Sequence, residues 1–311
     1  MELPKNYEKR IKNEAMHFSQ EAKQAQKNAD KVERGFPIVE AFVEAHKIIR
    51  PFLLEHMPHI DTTVYILDYV NKNPGNTKIV SLGCGTGDWE IELVEKAPEK
   101  IRMELLEINE DVLKYAVDYA AKNNLKLSTI IQDANKLKLE KDSYDFIIVR
   151  SSLHHFLKLE HIFTEINNAL TTNGNFLVIG EVIGRNGHLL YDETRREVEK
   201  IMQILPEKFR YNHNDKKTQS KYPSIDYAKS SFEGIRCEEI YSLLQKYLKP
   251  KEQVVFDTIT TLLLDFRFGP NYDLTNEFDK AVLNFIVQMD QYYLKNKILK
   301  PIALWGIYGK K

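Results

Sequence analysis

The chain has 311 residues, with 44 lysines and arginines against 45 aspartates and glutamates, for a formal net charge of −1. That balance argues against a strongly basic face for gripping nucleic acid. No apolar run approaches membrane-spanning length, and Met1-Glu2-Leu3-Pro4-Lys5-Asn6 lacks the apolar centre of a secretory leader.

Two cysteines far apart in sequence give no disulfide framework and suit a reducing cytoplasm. The length fits one large domain, or one domain with a substantial lid. Residues 1 to about 34 are polar, with alanines at loose helical spacing, and read as a solvated helix or mobile arm. From Phe36 to His56 a stripe of Val39, Phe42, Val43, His46, Ile49 and Leu53 marks a stronger helix, which Pro51 is expected to break or kink. Another helix is expected over 61–71.

Next comes the most informative segment. The β-type run Lys78-Ile79-Val80-Ser81-Leu82 feeds into Gly83-Cys84-Gly85-Thr86-Gly87-Asp88, and a helical stretch from Trp89 follows at once. Glycine serves where the chain must turn sharply or let a ligand touch its backbone. The free N–H groups at a helix start then face that ligand. A dinucleotide loop has G-x-G-x-x-G, whereas here the third glycine comes one residue early and Asp88 takes the last glycine's place. That spacing disfavours a nicotinamide cofactor.

A second strand, Arg102 to Asn109, carries Glu107 twenty residues after Gly87, where a strand-tip carboxylate can accept from both hydroxyls of a ribose. Helical periodicity follows over 111–123. A third strand from Lys126 ends in the acid–amide cluster Asp133-Ala134-Asn135. The fourth, Tyr144 to Val149, is apolar on both faces, as a central parallel strand should be, and ends in Arg150-Ser151-Ser152-Leu153-His154-His155-Phe156. A helix over 159–170, a turn at Thr171-Thr172-Asn173-Gly174 and a fifth strand, Asn175 to Glu181, complete the unit. After it come a loop at 184–187, a helix over 189–205, a polar and mobile stretch over 206–220, a segment Ser231-Phe232-Glu233-Gly234-Ile235-Arg236, and a helix over 237–248. Val254–Ile259 is a candidate sixth strand, and Ile302–Gly309 a seventh.

Glycines spaced G-x-G-x-G after the first strand, an acid ending the second, an acid ending the third and Ser-x-Leu-His-His ending the fourth together resemble the class I S-adenosylmethionine (SAM)-dependent methyltransferases of small-molecule type. The resemblance covers residues 76 to 183 closely. It implies an α/β fold: a doubly wound, Rossmann-like seven-stranded sheet, order 3-2-1-4-5-7-6, strand 7 antiparallel, with N-terminal helices and an inserted lid. It divides the chain into an N-terminal helical arm (1–75), a SAM-binding core (76–183), an inserted helical lid and substrate region (184–250) and a completion of the sheet (251–311). It assigns SAM to Gly83, Cys84, Gly85, Gly87, Glu107, Ile108, Asp133, Ala134 and Arg150, with Asp133 and Ala134 at the adenine. One departure stands out: Ser81 occupies the position where the family usually carries an acid for the methionine ammonium. Backbone carbonyls near Gly83 and Arg150, or another acid, must then serve.

Methyl transfer needs the nucleophile in line with carbon and sulfur, and a base where the nucleophile carries a proton. Histidine is the natural base near neutral pH. His154 and His155 lie where the methyl should point; adjacent side chains diverge, so one of the two is expected to face the pocket. Both are also compatible with structural roles. Glu181 and, more weakly, Arg236 are candidates for substrate contact. No residue is assigned to a metal. The expected function is a cytoplasmic SAM-dependent methyltransferase acting on an O or N atom of a small molecule, without nucleic acid or membrane span and compatible with a homodimer. The alternatives are a tRNA or protein methyltransferase and a non-catalytic SAM-fold partner subunit.

Overall fold

The computed structural model describes residues 6–13, 16 and 39–311. Most of the expected solvated arm lies outside these residues. The part that is described, 6–13, is helical and largely exposed, but it buries Tyr7.

Helix α1 (Glu40–His56) runs unbroken through Pro51. Its buried stripe is Ala41, Ala45, Ile49 and Leu53, whereas Val43 faces out. Ile49 and Leu53 of the expected stripe are buried as expected, while Ala41 and Ala45 complete it in place of Phe42, Val43 and His46. Helix α2 (Thr62–Lys72) begins where the Asp61 side chain accepts from Val64 N–H.

The sheet then builds up as expected. Strands β1 (Thr77–Leu82), β2 (Ile101–Glu107), β3 (Leu127–Ile131) and β4 (Tyr144–Arg150) are parallel, with helices α3 (Asp88–Lys96) and α4 (Glu110–Lys122) between the first three. Helix α5 (Leu159–Ala169) leads to β5 (Leu170–Val182), parallel to β4. The expected turn at 171–174 is absent as a separate element: pairing begins at Leu170 opposite Tyr144, and the register shifts before Phe146 pairs with Asn175.

Helix α6 (Asp192–Ile204) starts later than the periodicity suggested. The stretch after it is no loose loop. Phe209 is buried in a short helical turn, and Tyr211–Asn212 pairs with Lys217–Thr218 in a small ribbon whose turn is held by the Asn212 side chain. Helix α7 (Cys237–Tyr247) precedes β6 (Lys249–Phe256). That strand ends earlier than expected because Asp257 takes a left-handed backbone, φ 60°. The next three N–H groups turn onto the Asp290 carboxylate of helix α9 (Glu277–Lys295), reached through the short helix α8 (Thr260–Leu264). Strand β7 (Ala303–Gly309) lies antiparallel between β5 and β6.

The order is thus β3-β2-β1-β4-β5-β7-β6. Alternation along the central strands sends Ile79, Leu105, Phe146, Ile148 and Leu177 to one apolar layer. Val80, Leu106, Ile147, Val149, Phe176 and Val178 go to the other. The first layer is covered by α1, α3, α4 and α9, the second by α5 and α7. Strand order reverses between β1 and β4, so the crevice at their carboxyl ends is where a ligand belongs in such a sheet. Among the described residues no helix is long and apolar enough to cross a membrane.

Candidate active site

The glycine loop follows β1 directly. Gly83, Gly85 and Gly87 have φ of 64°, 59° and 72°, a left-handed conformation that side chains rarely adopt. A methyl group on Gly83 would sit 3.0 Å from Ser152 Cβ, and one on Gly87 2.8 Å from Leu105 Cδ1. At Gly85 the same position is open space. Two glycines therefore pack loop against sheet, and the middle one leaves the backbone accessible.

Glu107 closes the loop from β2. One carboxylate oxygen accepts from Gly85 N–H at 3.2 Å, the other from Ile108 N–H at 2.9 Å and Asn109 N–H at 3.2 Å. Burial raises its pKa, and these N–H groups oppose that rise.

The missing acid at Ser81 has a counterpart that the sequence reading overlooked. Ser81 Oγ donates at 2.7 Å to Oε1 of Glu90, in the first turn of α3. Glu90 is 1% exposed, and its Oε2 has no hydrogen-bond partner among the described residues. Burial pushes its carboxyl up and the charge of Arg150 pulls it down. Arg150 itself is exposed, with its guanidinium 5.0 Å from the Trp89 ring centroid. Cys84, beside these groups, has a thiol held strongly protonated by burial and by Glu90 and Glu107.

Asp133 ends β3. Its Oδ1 accepts from the Asn135 backbone at 2.8 Å and its Oδ2 from Tyr7 Oη at 2.8 Å. Ala134 is buried beside it. Asn135 in turn donates to Tyr7 Oη and accepts from Leu157 and Lys158 N–H. Tyr7 packs on Phe232 with ring centroids 5.3 Å apart, and Arg10 lies 4.4 Å over the same ring while donating to Ala228 O and Ser231 O. The amino-terminal segment thus lies directly on the strand-end acid. An open depression of about 600 Å³ lined by Asn135, Lys136, Lys158, Glu160 and His161 adjoins this region, Lys136 pairing with both Asp133 and Glu8.

The fourth strand end is the most charged. Glu181, fully buried on β5, accepts from Ser152 N–H at 3.1 Å, Leu153 N–H at 2.9 Å and Val182 N–H at 3.0 Å. It also lies 2.6 Å from His154 Nδ1. Its burial favours the neutral acid, but the His154 charge and these donors hold its pKa below the usual range. His154 is also buried, which alone would lower its pKa. Glu181 and Glu233 outweigh that and bring it up to about 10.

The two histidine rings do not diverge. Their centroids are 4.3 Å apart, and both Nε2 atoms approach Glu233, each at 3.3 Å. His188 Nε2 lies 2.7 Å from the same carboxylate. Glu233, despite partial burial, is held far below the usual carboxylate range by these histidines. Arg236 is 4% exposed and is clamped by Glu160, Glu239 and Leu157 O; Glu181 faces His154. The structure gathers His154, His155 and Glu181 together and sets Arg236 apart from them in this clamp. Sequence reasoning missed Glu233, His188, Glu90 and Tyr7. For Glu233 the signal was its Glu-Gly pair in the segment 231–236; the others carry no local signal.

A family model described as "Methyltransferase domain" matches residues 74–246. The demethylmenaquinone methyltransferase of Bacillus cereus is 25% identical over 135 residues, 42% of this chain and 55% of that protein. The matched segment therefore spans little more than half of that curated relative. Among solved structures, phosphoethanolamine N-methyltransferase 2 of Haemonchus contortus, in complex with SAM, superposes with a TM-score of 0.47 at 14% identity, covering 80% of this chain and 52% of that one. Geranyl diphosphate C-methyltransferase of Streptomyces coelicolor A3(2) gives 0.47 at 10% identity over 81% of this chain and 76% of that one. With its family model and sheet order in agreement, the chain belongs to the methyltransferase-domain family and has a seven-stranded Rossmann-like fold.

Proposed function

We propose that the protein methylates an O or N atom of a small molecule. The observation that carries this is the convergence, at the carboxyl ends of β1, β2, β3 and β4, of a glycine cradle, two acids and a histidine–glutamate cluster. The residues present fit the donor: the cradle is open at Gly85, and Glu90 holds a buried oxygen without a partner next to the loop. The name of the Bacillus cereus relative, a demethylmenaquinone methyltransferase, supports a small acceptor.

In this reading the backbone of Gly83 to Gly87, with Arg150 and Glu90, holds the methionine end. Glu107 and Ile108 hold the ribose; Asp133 and Ala134 hold the adenine. SAM supplies a methyl group already activated by its sulfonium. The chain supplies alignment and removal of the acceptor's proton. His154 is fixed by Glu181, and the acceptor is met at His155 and Glu233, the more accessible members of the cluster.

Calorimetric titration with S-adenosylhomocysteine, with NADH in parallel, tests the donor site. Binding of the first alone is expected. A metabolite screen for mass gains of one methyl then tests the acceptor class. Methylation of tRNA or protein in place of any metabolite would overturn it.

A further inference from the structure

Four side chains from three separate segments meet beside the end of β4. His154 and His155 come from the turn after that strand, His188 from the loop after β5 and Glu233 from the segment before α7. We propose that His154, His155 and Glu233 bind a divalent transition-metal ion of the zinc type whose fourth position stays open, with His188 orienting the Glu233 carboxylate.

Spacing is the first argument. Donor atoms of His154, His155 and Glu233 all lie within 4.8 Å of one another. The two His–Glu separations are 3.3 Å each. Ligands about 2.0–2.1 Å from a tetrahedral ion stand about 3.3 Å apart. Orientation is the second. Metal-bound histidines pass their other ring N–H to a carboxylate, which aims the ring. Glu181 lies 2.6 Å from His154 Nδ1, leaving Nε2 toward the cluster.

The third argument is His188. Its backbone is left-handed, φ 55°, between Gly187 at φ 66° and a contact with Gly234 at φ 68°. A side chain on Gly234 would come within 2.6 Å of the His188 ring. Strain of this kind is kept where a site requires it. His188 Nε2 lies 2.7 Å from Glu233 Oε1 and holds that carboxylate toward His154 and His155. Two imidazoles and one carboxylate suit zinc and its neighbours and not magnesium or calcium, which prefer oxygen. The ion's role rests on the function proposed above: an acceptor oxygen or nitrogen bound to it would lose its proton more readily and be fixed in place. His155 then acts as a ligand and not as a free base. The binding itself does not depend on that function.

The test uses the full chain, freed of metal by a chelator, titrated with Zn²⁺ by calorimetry and with Co²⁺ by visible absorption. One equivalent of zinc and the strong bands of four-coordinate cobalt are expected. Glu233→Gln, which removes a ligand, should weaken zinc at least tenfold, and His188→Ala, which frees that carboxylate, should weaken it severalfold with circular dichroism unchanged. No saturable uptake by the unmodified chain, or equal uptake in both variants, would mean that the cluster is only a hydrogen-bonded ring. Zinc binding without S-adenosylhomocysteine binding would sink the donor site and leave the metal site standing.

Discussion

At Ser81 the chain has a hydroxyl where its resemblance leads one to expect a carboxylate, and the carboxylate stands nine residues on, at Glu90, bonded to that hydroxyl. The carboxylate thus comes from helix α3 and not from the strand, so exchanging the two side chains should return it to the strand. Glu90→Gln should weaken S-adenosylhomocysteine binding about tenfold in calorimetry, the size of a lost charge-assisted hydrogen bond of roughly 1.5–3 kcal/mol. Ser81→Asp alone sets two buried carboxylates together and should destabilise the fold. Ser81→Asp combined with Glu90→Ser should recover both binding and stability. If the double variant is as weak as Glu90→Gln, the exchange idea is wrong. At Gly87, alanine meets Leu105 at 2.8 Å on a left-handed backbone, so Gly87→Ala should lower the melting temperature by several degrees, a loss of about 1–3 kcal/mol.

Among the elements, strands and their tips were legible because their signals are local. Glu107 follows from a strand and a count from the loop, and its bonds to Gly85, Ile108 and Asn109 lie where that count puts them. Glu233 and His188 were not legible, since their partners are long-range and the loops that carry them are shaped by left-handed residues rather than by periodicity. The docking of the amino-terminal segment through Tyr7 was not legible for the same reason. Its polar composition says nothing of Tyr7, whose partner Asp133 is 126 residues away. Helix α1 shows the converse limit: period located the helix with Ile49 and Leu53 on its buried face, but Ala41 and Ala45 share that face and carry little hydrophobic signal. Tyr7 occupies the Asp133 oxygen that an adenine amine would use. Tyr7→Phe should therefore tighten S-adenosylhomocysteine binding about fivefold, the worth of one hydrogen bond of about 1 kcal/mol. Weaker binding in that variant would show instead that the hydroxyl helps hold the ligand.

For the whole molecule, the carboxyl pair under the far edge of the sheet sets a pH dependence. Burial and the charge of Asp290 push Asp257 up to about 7. His46 on α1, its own pKa lowered by burial, feels Asp290 from the other side. An aspartate with a raised folded pKa binds its proton more tightly in the folded chain. Its contribution is complete below about pH 4, the unfolded value, and is lost as pH rises to about 7. The loss is on the order of 4 kcal/mol. Asp257→Asn should flatten this fall, measured as melting temperature between pH 4.5 and 8 (about the span of the two pKa values). An unchanged slope would remove Asp257 as its source.

The contact of Tyr7 and Arg10 with Phe232 has a consequence in kinetic order. Phe232 adjoins Glu233, so the segment that covers Asp133, proposed above to hold the adenine, also braces the loop that carries Glu233, proposed to meet the acceptor. A donor that displaces Tyr7 from Asp133 loosens that loop before an acceptor arrives, whereas an acceptor arriving first meets it braced. Turnover should accordingly follow a compulsory sequence with the donor first. Initial rates with both substrates varied should give intersecting lines, with S-adenosylhomocysteine competing against the donor alone.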